Sequence, residues 1–275
     1  MADDTSGSSV MTPSASSTGR GSLIQRYGQI IVVGGGCYGS YYVRQLRRAS
    51  RAGVLSAKQV LVVDRDASCA VARQLQGQAS GEDHALPVAT VAAEWDDFFD
   101  NYLAAATREP DRARGDAIVP SPLMPHLVYG WLVRRARQRW PRRSVEGRAL
   151  TRAPNVPWQR ADPSGTHYVS FAEWMCPINC IEPANCPEIR GPRTWSLPPA
   201  VRAYVSAERA RGHELAGPAL LHCTHRAYGV GMFDTKDVLA ADDLVADAGA
   251  AGEVGILVGT VSHCHGALDV LWVGP

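Results

Sequence analysis

The sequence predicts an α/β protein: a doubly wound parallel sheet in the first half, followed by a smaller α/β or α+β region rich in cysteine. Three observations lead there. Short β-branched apolar runs alternate with helical stretches between about residue 29 and residue 140. A glycine-rich turn joins the first run to the first helix. Beyond Arg142 the alternation gives way to a polar, Pro/Arg-rich stretch, and then to a loop with three cysteines in eleven residues.

Taken in order, residues 1–22 are rich in Ser, Thr, Gly and Pro with little to bury, and read as a disordered leader. A first domain then spans 23–142. Gln29 to Val33 is a short apolar run ending in glycines, as a buried parallel strand would. Tyr41 to Arg48 reads as a helix with Tyr42, Val43 and Leu46 on its apolar side. Val60 to Val63 is a second strand, ending in Asp64-Arg65-Asp66, and Cys69 to Leu75 a second helix. Leu86 to Val91 is read as a strand, Trp95 to Ala105 as a helix, and Ala117-Ile118-Val119 as a strand stopped by Pro120. A long helix runs from Pro125 to Trp140.

The second region covers 143–275. Residues 142–166 read as a linker or surface excursion. His167 to Phe171 is a strand, followed by a Cys/Pro-rich loop through Arg193. Pro199 to Arg211 and Thr235 to Asp247 are helices. Strands are expected at Ala219 to His222, Gly255 to Ser262 and Leu268 to Val273.

Composition narrows the function classes. The chain has 275 residues, 45% of them hydrophobic and 20% charged, as in an ordinary soluble globular protein. A formal net charge of +1 argues against a nucleic-acid binder. No apolar run approaches the roughly 18–20 residues of a membrane span, and no secretory pattern opens the chain. A cytoplasmic address and no membrane insertion are expected, and a homo-oligomer is compatible. In a reducing compartment the seven cysteines point to metal or redox chemistry rather than disulfides.

Gly34-Gly35-Gly36-Cys37-Tyr38-Gly39 is a G-x-G-x-x-G turn between strand and helix. Gly34 permits the tight bend, Gly36 lets backbone approach a pyrophosphate, and Gly39 lets the helix pack against the strand. The helix N-terminus adds free N–H groups and a positive dipole end. Asp64 lies 25 residues after Gly39, at the end of the second strand, and is suited to the adenosine ribose hydroxyls. That favours NAD over NADP, although Arg65 beside it suits a 2′-phosphate. Cys37, inside the turn, reads as a small side chain packed there.

On these residues the first half resembles the NAD(P)-binding Rossmann superfamily. The stretch Ile30-Ile31-Val32-Val33-Gly34-Gly35-Gly36 is most similar to the openings of siroheme-synthase-type dehydrogenase domains and of potassium-uptake regulatory (RCK) domains. Neither family's downstream pattern is evident, so the resemblance implies only the superfamily's cofactor positions: Gly34, Gly36, Gly39 and Asp64. It also implies that Pro120 to His126 face the nicotinamide side. His126 is the titratable side chain there suited to proton transfer, with a packing or capping role as the plainer reading.

The segment Cys176-Pro177-Ile178-Asn179-Cys180-Ile181-Glu182-Pro183-Ala184-Asn185-Cys186 has the spacing C-x3-C-x5-C. Thiolates converging in a turn-rich loop need a cation to offset their repulsion. A fourth ligand is available from the His222-Cys223-Thr224-His225 segment or from the His263-Cys264-His265 turn; Cys223 is the first choice. The set then holds a [4Fe-4S] cluster, with zinc as the alternative and free thiols a third reading. Cys264, flanked by His263 and His265, is a candidate nucleophile or proton donor with a lowered thiol pKa, against a plain hairpin turn. Arg134, Arg135, Arg137 and Arg139 read as a solvated helix end, and Asp96, Asp97 and Asp100 as an exposed helix start.

Together these features predict an oxidoreductase-like protein holding NAD or NADP and a cysteine-ligated metal centre. It would act with a small-molecule substrate or a redox partner. The alternatives are a non-catalytic redox or nucleotide sensor and a zinc-stabilised interaction module.

Overall fold

The computed structural model describes residues 24–77 and 86–275; the leader expected over 1–22 lies outside them. In chain order the elements of the first half are β1 (Gln25–Val33), α1 (Cys37–Arg51), β2 (Leu55–Asp64), α2 (Ala70–Gln76), β3 (Val88–Ala92), α3 (Trp95–Arg108), the short α4 (Pro110–Ala113), β4 (Ala117–Val119) and α5 (Leu127–Arg139). Strands β3, β2, β1 and β4 lie side by side in that order, all parallel. Every strand and helix expected before residue 140 is present, with ends differing by a few residues.

This sheet is covered on both faces, which is why its strands read as continuous apolar runs. Ile30, Val32, Val60, Val62 and Val119 pack on the side of α1 and α2, with Val43, Leu46 and Val71. Ile31, Val33, Val63 and Ile118 face the other way, onto Phe99, Leu103, Trp131 and Leu132 of α3 and α5.

The second half supplies β5 (Val145–Arg148), β6 (Trp158–Ala161), β7 (His167–Ser170), the two-residue pair β8 (Asn185–Cys186) and β9 (Gly191–Pro192), α6 (Leu197–Ala210), β10 (Leu215–His222), β11 (Thr224–Ala227), β12 (Val230–Asp234), α7 (Thr235–Ala251), β13 (Val254–Val261) and β14 (His265–Val273). Its sheet has the order β10-β13-β14-β7-β6, and β5 also pairs with β14. Only β10 and β13 run parallel; the remaining pairs are antiparallel. The stretch 142–166 is therefore not a linker. Its β5 and β6 are short and mostly exposed edge strands. They lack the apolar alternation that betrays a half-buried strand.

One hairpin, β11–β12, leaves the second half and pairs antiparallel with β4 in the first sheet. Nothing local announced it, because Thr224 to Asp234 mixes polar residues with glycines. Helix α7 follows and, with α3 and α5, fills the space between the two sheets. Val238 and Val245 there meet Leu221, Ile256 and Leu271 of the second sheet. Helix α6 covers that sheet's far face through Val201 and Val205. The basic end of α5 is only in part a solvated face: Arg137 is exposed, whereas its neighbours are paired. Arg134 pairs with Asp96 and Asp100 of α3, and Arg139 donates to both oxygens of the buried Asp242 on α7.

Candidate functional site

The glycine turn is built from backbone and one carboxylate. Gly34 has φ +86, a conformation that favours glycine, and its N–H donates to the Val63 carbonyl. Gly35 N–H donates to Asp64 Oδ2 at 2.6 Å, and Asp66 N–H to Oδ1 at 2.9 Å. Asp64 thus locks the turn to the end of β2 while each oxygen keeps a free lone pair. A Cβ on Gly39 would sit 1.9 Å from the Gly34 carbonyl oxygen, so helix and strand approach as only glycine allows. A Cβ on Gly36 would meet nothing within 4 Å. Open space therefore faces the start of α1, whose first turn holds no acidic residue. Cys37 is exposed there rather than packed, while Cys69 is buried against Gly35. Arg65 lies over the Trp95 ring at 4.7 Å.

The cysteine loop is held by residues that sequence reasoning missed. Arg193 donates to the carbonyls of Pro183, Glu182 and Trp195, bracing the loop from within. Glu182, in the left-handed region at φ 49, sends its carboxylate across to the β13–β14 turn. There it accepts the N–H groups of His263 (3.3 Å) and Cys264 (3.2 Å). Burial pushes its carboxyl upward, but the Ser262 hydroxyl, His225 and the His263 N–H outweigh this and hold it below the usual range. Its only sequence signal was its place between two of the loop cysteines.

The turn Ser262–His265 is a hairpin whose side chains are all engaged. His263 Nδ1 meets Ser196 Oγ at 2.8 Å. His265 Nδ1 lies 2.9 Å from Ser170 Oγ, and its Nε2 lies 3.3 Å from Cys176 Sγ. Because the Ser170 hydroxyl donates to the Ala172 carbonyl, its oxygen is left to accept from His265 Nδ1. The neutral ring then presents its Nε2 lone pair to the Cys176 thiol. The indole N–H of Trp195 donates to Cys264 Sγ at 3.3 Å.

Cys264 does not have a lowered thiol pKa. Burial, with Glu182 and Cys180 nearby, pushes it up to about 11 despite the Trp195 hydrogen bond. Histidine lowers a thiol pKa only when protonated, and both neighbours are themselves held below the usual histidine value, chiefly by burial. Cys176 is likewise pushed up to about 11, by burial and then by Cys180, Cys264 and Cys186. Cys223 rises to about 12, by burial and then by Glu182. It sits at the step from β10 to β11, where the chain crosses between the two sheets. A Cβ on Gly231 would lie 2.8 Å from its Sγ.

A cavity of about 700 Å³ connects these parts. Tyr38 and Tyr42 of α1 and Pro120 and Ser121 beyond β4 form one wall; Cys176, Cys180, Cys223 and His265 form another. Among the described residues, no lysine or arginine lines it. His126 does not reach it. That imidazole is half-buried, with Nε2 3.0 Å from Oδ2 of the buried Asp269, a contact of ion-pair length rather than an aligned hydrogen bond. Among the described residues, no three side chains of Cys, His, Asp or Glu converge closely enough to hold a metal ion as they stand. The donor chemistry still suits one: several thiols lie in one loop and the facing turn, and Cys176, Cys180 and Cys264 each have a nitrogen at 3.3 Å. Among the described residues, no helix is long and apolar enough to cross a membrane.

No curated protein and no solved structure matches the chain. A family model described as "Uncharacterized protein, C-terminal domain" (AF_1314_C) matches residues 128–274, from α5 to the end of β14. Those residues are just over half of the chain, which therefore belongs to this family.

Proposed function

We propose that this chain is an NAD(P)-binding oxidoreductase-like protein whose second half carries a thiolate-ligated metal centre, iron–sulfur in preference to zinc. The observation that carries the reading is the shared cavity. One wall belongs to the helix that opens from the glycine turn, the other to the thiols and His265. The parallel order β3-β2-β1-β4, with helices on both faces, supports a Rossmann-type nucleotide domain. The turn ends where a helix N-terminus meets open space at Gly36, which suits a pyrophosphate.

NAD fits better than NADP. Asp64 is a fixed negative charge at the position where a 2′-phosphate would lie, and the Arg65 guanidinium is stacked on Trp95. Cys176, Cys180 and Cys186 would supply three thiolates of the metal centre. When bound, an iron–sulfur cluster supplies one-electron chemistry. The protein's part is to exclude water, through Tyr38, Tyr42 and Trp174, and to hold the thiols near His265.

The test is a titration of anaerobically purified protein with NADH and NADPH, followed by nicotinamide fluorescence, with metal analysis of the same sample. NADH binding, NADPH weaker, and bound iron with acid-labile sulfide are expected. Protein that binds neither nucleotide and retains no metal defeats the reading. A sensor would bind NADH without consuming it, so turnover with added electron acceptors separates the two.

A further inference from the structure

We propose that Cys264, on the β13–β14 turn, completes the thiolate set of Cys176, Cys180 and Cys186, and that Cys223 lies outside it. The assignment rests on the reading above that the loop thiols hold a metal, and goes beyond it by naming the fourth ligand.

Two independent links tie the Cys264 turn to the loop. Glu182, two residues from Cys180, grips the backbone N–H groups of His263 and Cys264. On the other side, His265, next to Cys264, places Nε2 3.3 Å from Cys176 Sγ. Cys264 is therefore fixed between the first two loop cysteines by contacts at both neighbours.

Cys223 shares a cavity wall with Cys176 and Cys180 but is anchored differently. Its backbone N–H pairs with the Val261 carbonyl, and its Sγ abuts Gly231 of β12 in the first sheet.

The donors around the set also match thiolate ligands. Trp195 Nε1–H reaches Cys264 Sγ and Glu182 N–H reaches Cys180 Sγ, each at 3.3 Å. Such N–H···S contacts offset thiolate charge and tune a cluster. Binding would draw the four sulfurs together, with the loop 174–193 moving toward the fixed hairpin.

The experiment compares full-length wild type with C264S, C223S and C176S, each reconstituted anaerobically with ferrous iron and sulfide, and separately with zinc. Bound metal is counted, and folding is checked by circular dichroism. C264S and C176S are expected to lose at least tenfold in retained metal, while C223S stays within twofold of wild type. Retention in C264S, or loss in C223S, overturns the assignment. A wild type that holds neither metal defeats the parent reading, and this one with it.

Should C264S fail to fold, cysteine alkylation of wild type with and without metal decides the matter. Protection of Cys264 together with the loop cysteines, with Cys223 unchanged, supports the set. Protection of Cys223 in its place overturns it. In W195F the metal should remain while the charge-transfer absorption shifts, a change that packing alone would not produce.

Discussion

The glycine turn and the thiol pocket face one cavity but are built in opposite ways. The turn is local. Six consecutive residues and one carboxylate 25 positions on form it through backbone bonds, and its geometry is dictated by the absence of side chains. The pocket is assembled from the 174–193 loop, the 262–265 turn and the β10–β11 step, and is held by side chains such as Glu182, Arg193 and Ser170. A contiguous motif can be read from sequence because its spacing encodes its shape. A pocket gathered over as many as 89 positions, the separation of Cys176 from His265, cannot.

The sharpest way to break this contrast is at Gly39. In G39V the new Cβ would lie 1.9 Å from a backbone carbonyl that cannot step aside. Overpacking of this kind costs about 3 kcal/mol or more. The expected outcome is loss of most soluble protein, or a large fall in denaturation midpoint, with nucleotide binding abolished. A variant that folds and binds NADH normally would mean that the turn is not the rigid backbone device described.

The same contrast explains what was legible in the sequence. Every element through α5 except the one-turn α4 was visible, because Ile30 to Val33, Val60 to Val63 and Ala117 to Val119 are buried on both faces and flanked by turn residues. β5, β6 and the β11–β12 hairpin were not, since pairing partners rather than apolar pattern hold them in place. In the site, the three loop cysteines stood out by clustering. The grouping of Cys264 with them depends on the Glu182 and His265 links, which no spacing foretells. His126 was a candidate for proton transfer on the nicotinamide side, with packing or capping as the plainer reading; its ring turns toward Asp269 on β14, far downstream in the chain.

Glu182 offers the corresponding test of the pocket, with a smaller effect. E182Q keeps one acceptor oxygen for two backbone N–H groups and removes the charge beside His225 and His263. A loss of about 1 kcal/mol is expected near neutral pH, because the carboxylate is only half buried and its bonds are long. The sign with pH follows from the lowered carboxyl. Its stabilisation is complete above the ordinary glutamate value of about 4.3 and is lost as pH falls through the lower folded value. The gap in thermal midpoint between wild type and E182Q should therefore narrow on acidification below about pH 4. A gap that widens there would show that the carboxylate does not carry the clamp.

The smallest change in stability is expected at Gly36, where the contrast is sharpened rather than broken. An added methyl there would meet nothing within 4 Å. G36A should shift unfolding free energy by less than about 1 kcal/mol, the scale of an exposed helix-cap exchange. The methyl would nonetheless occupy the space that a pyrophosphate needs against the α1 N-terminus, so NADH affinity should fall at least tenfold. Metal retention by the thiol pocket should be untouched. G39V disables the turn by breaking its backbone, whereas G36A disables only what the turn would hold. If G36A left NADH affinity within twofold of wild type, the open space before α1 would not be a phosphate site, even though the glycine geometry around it stood.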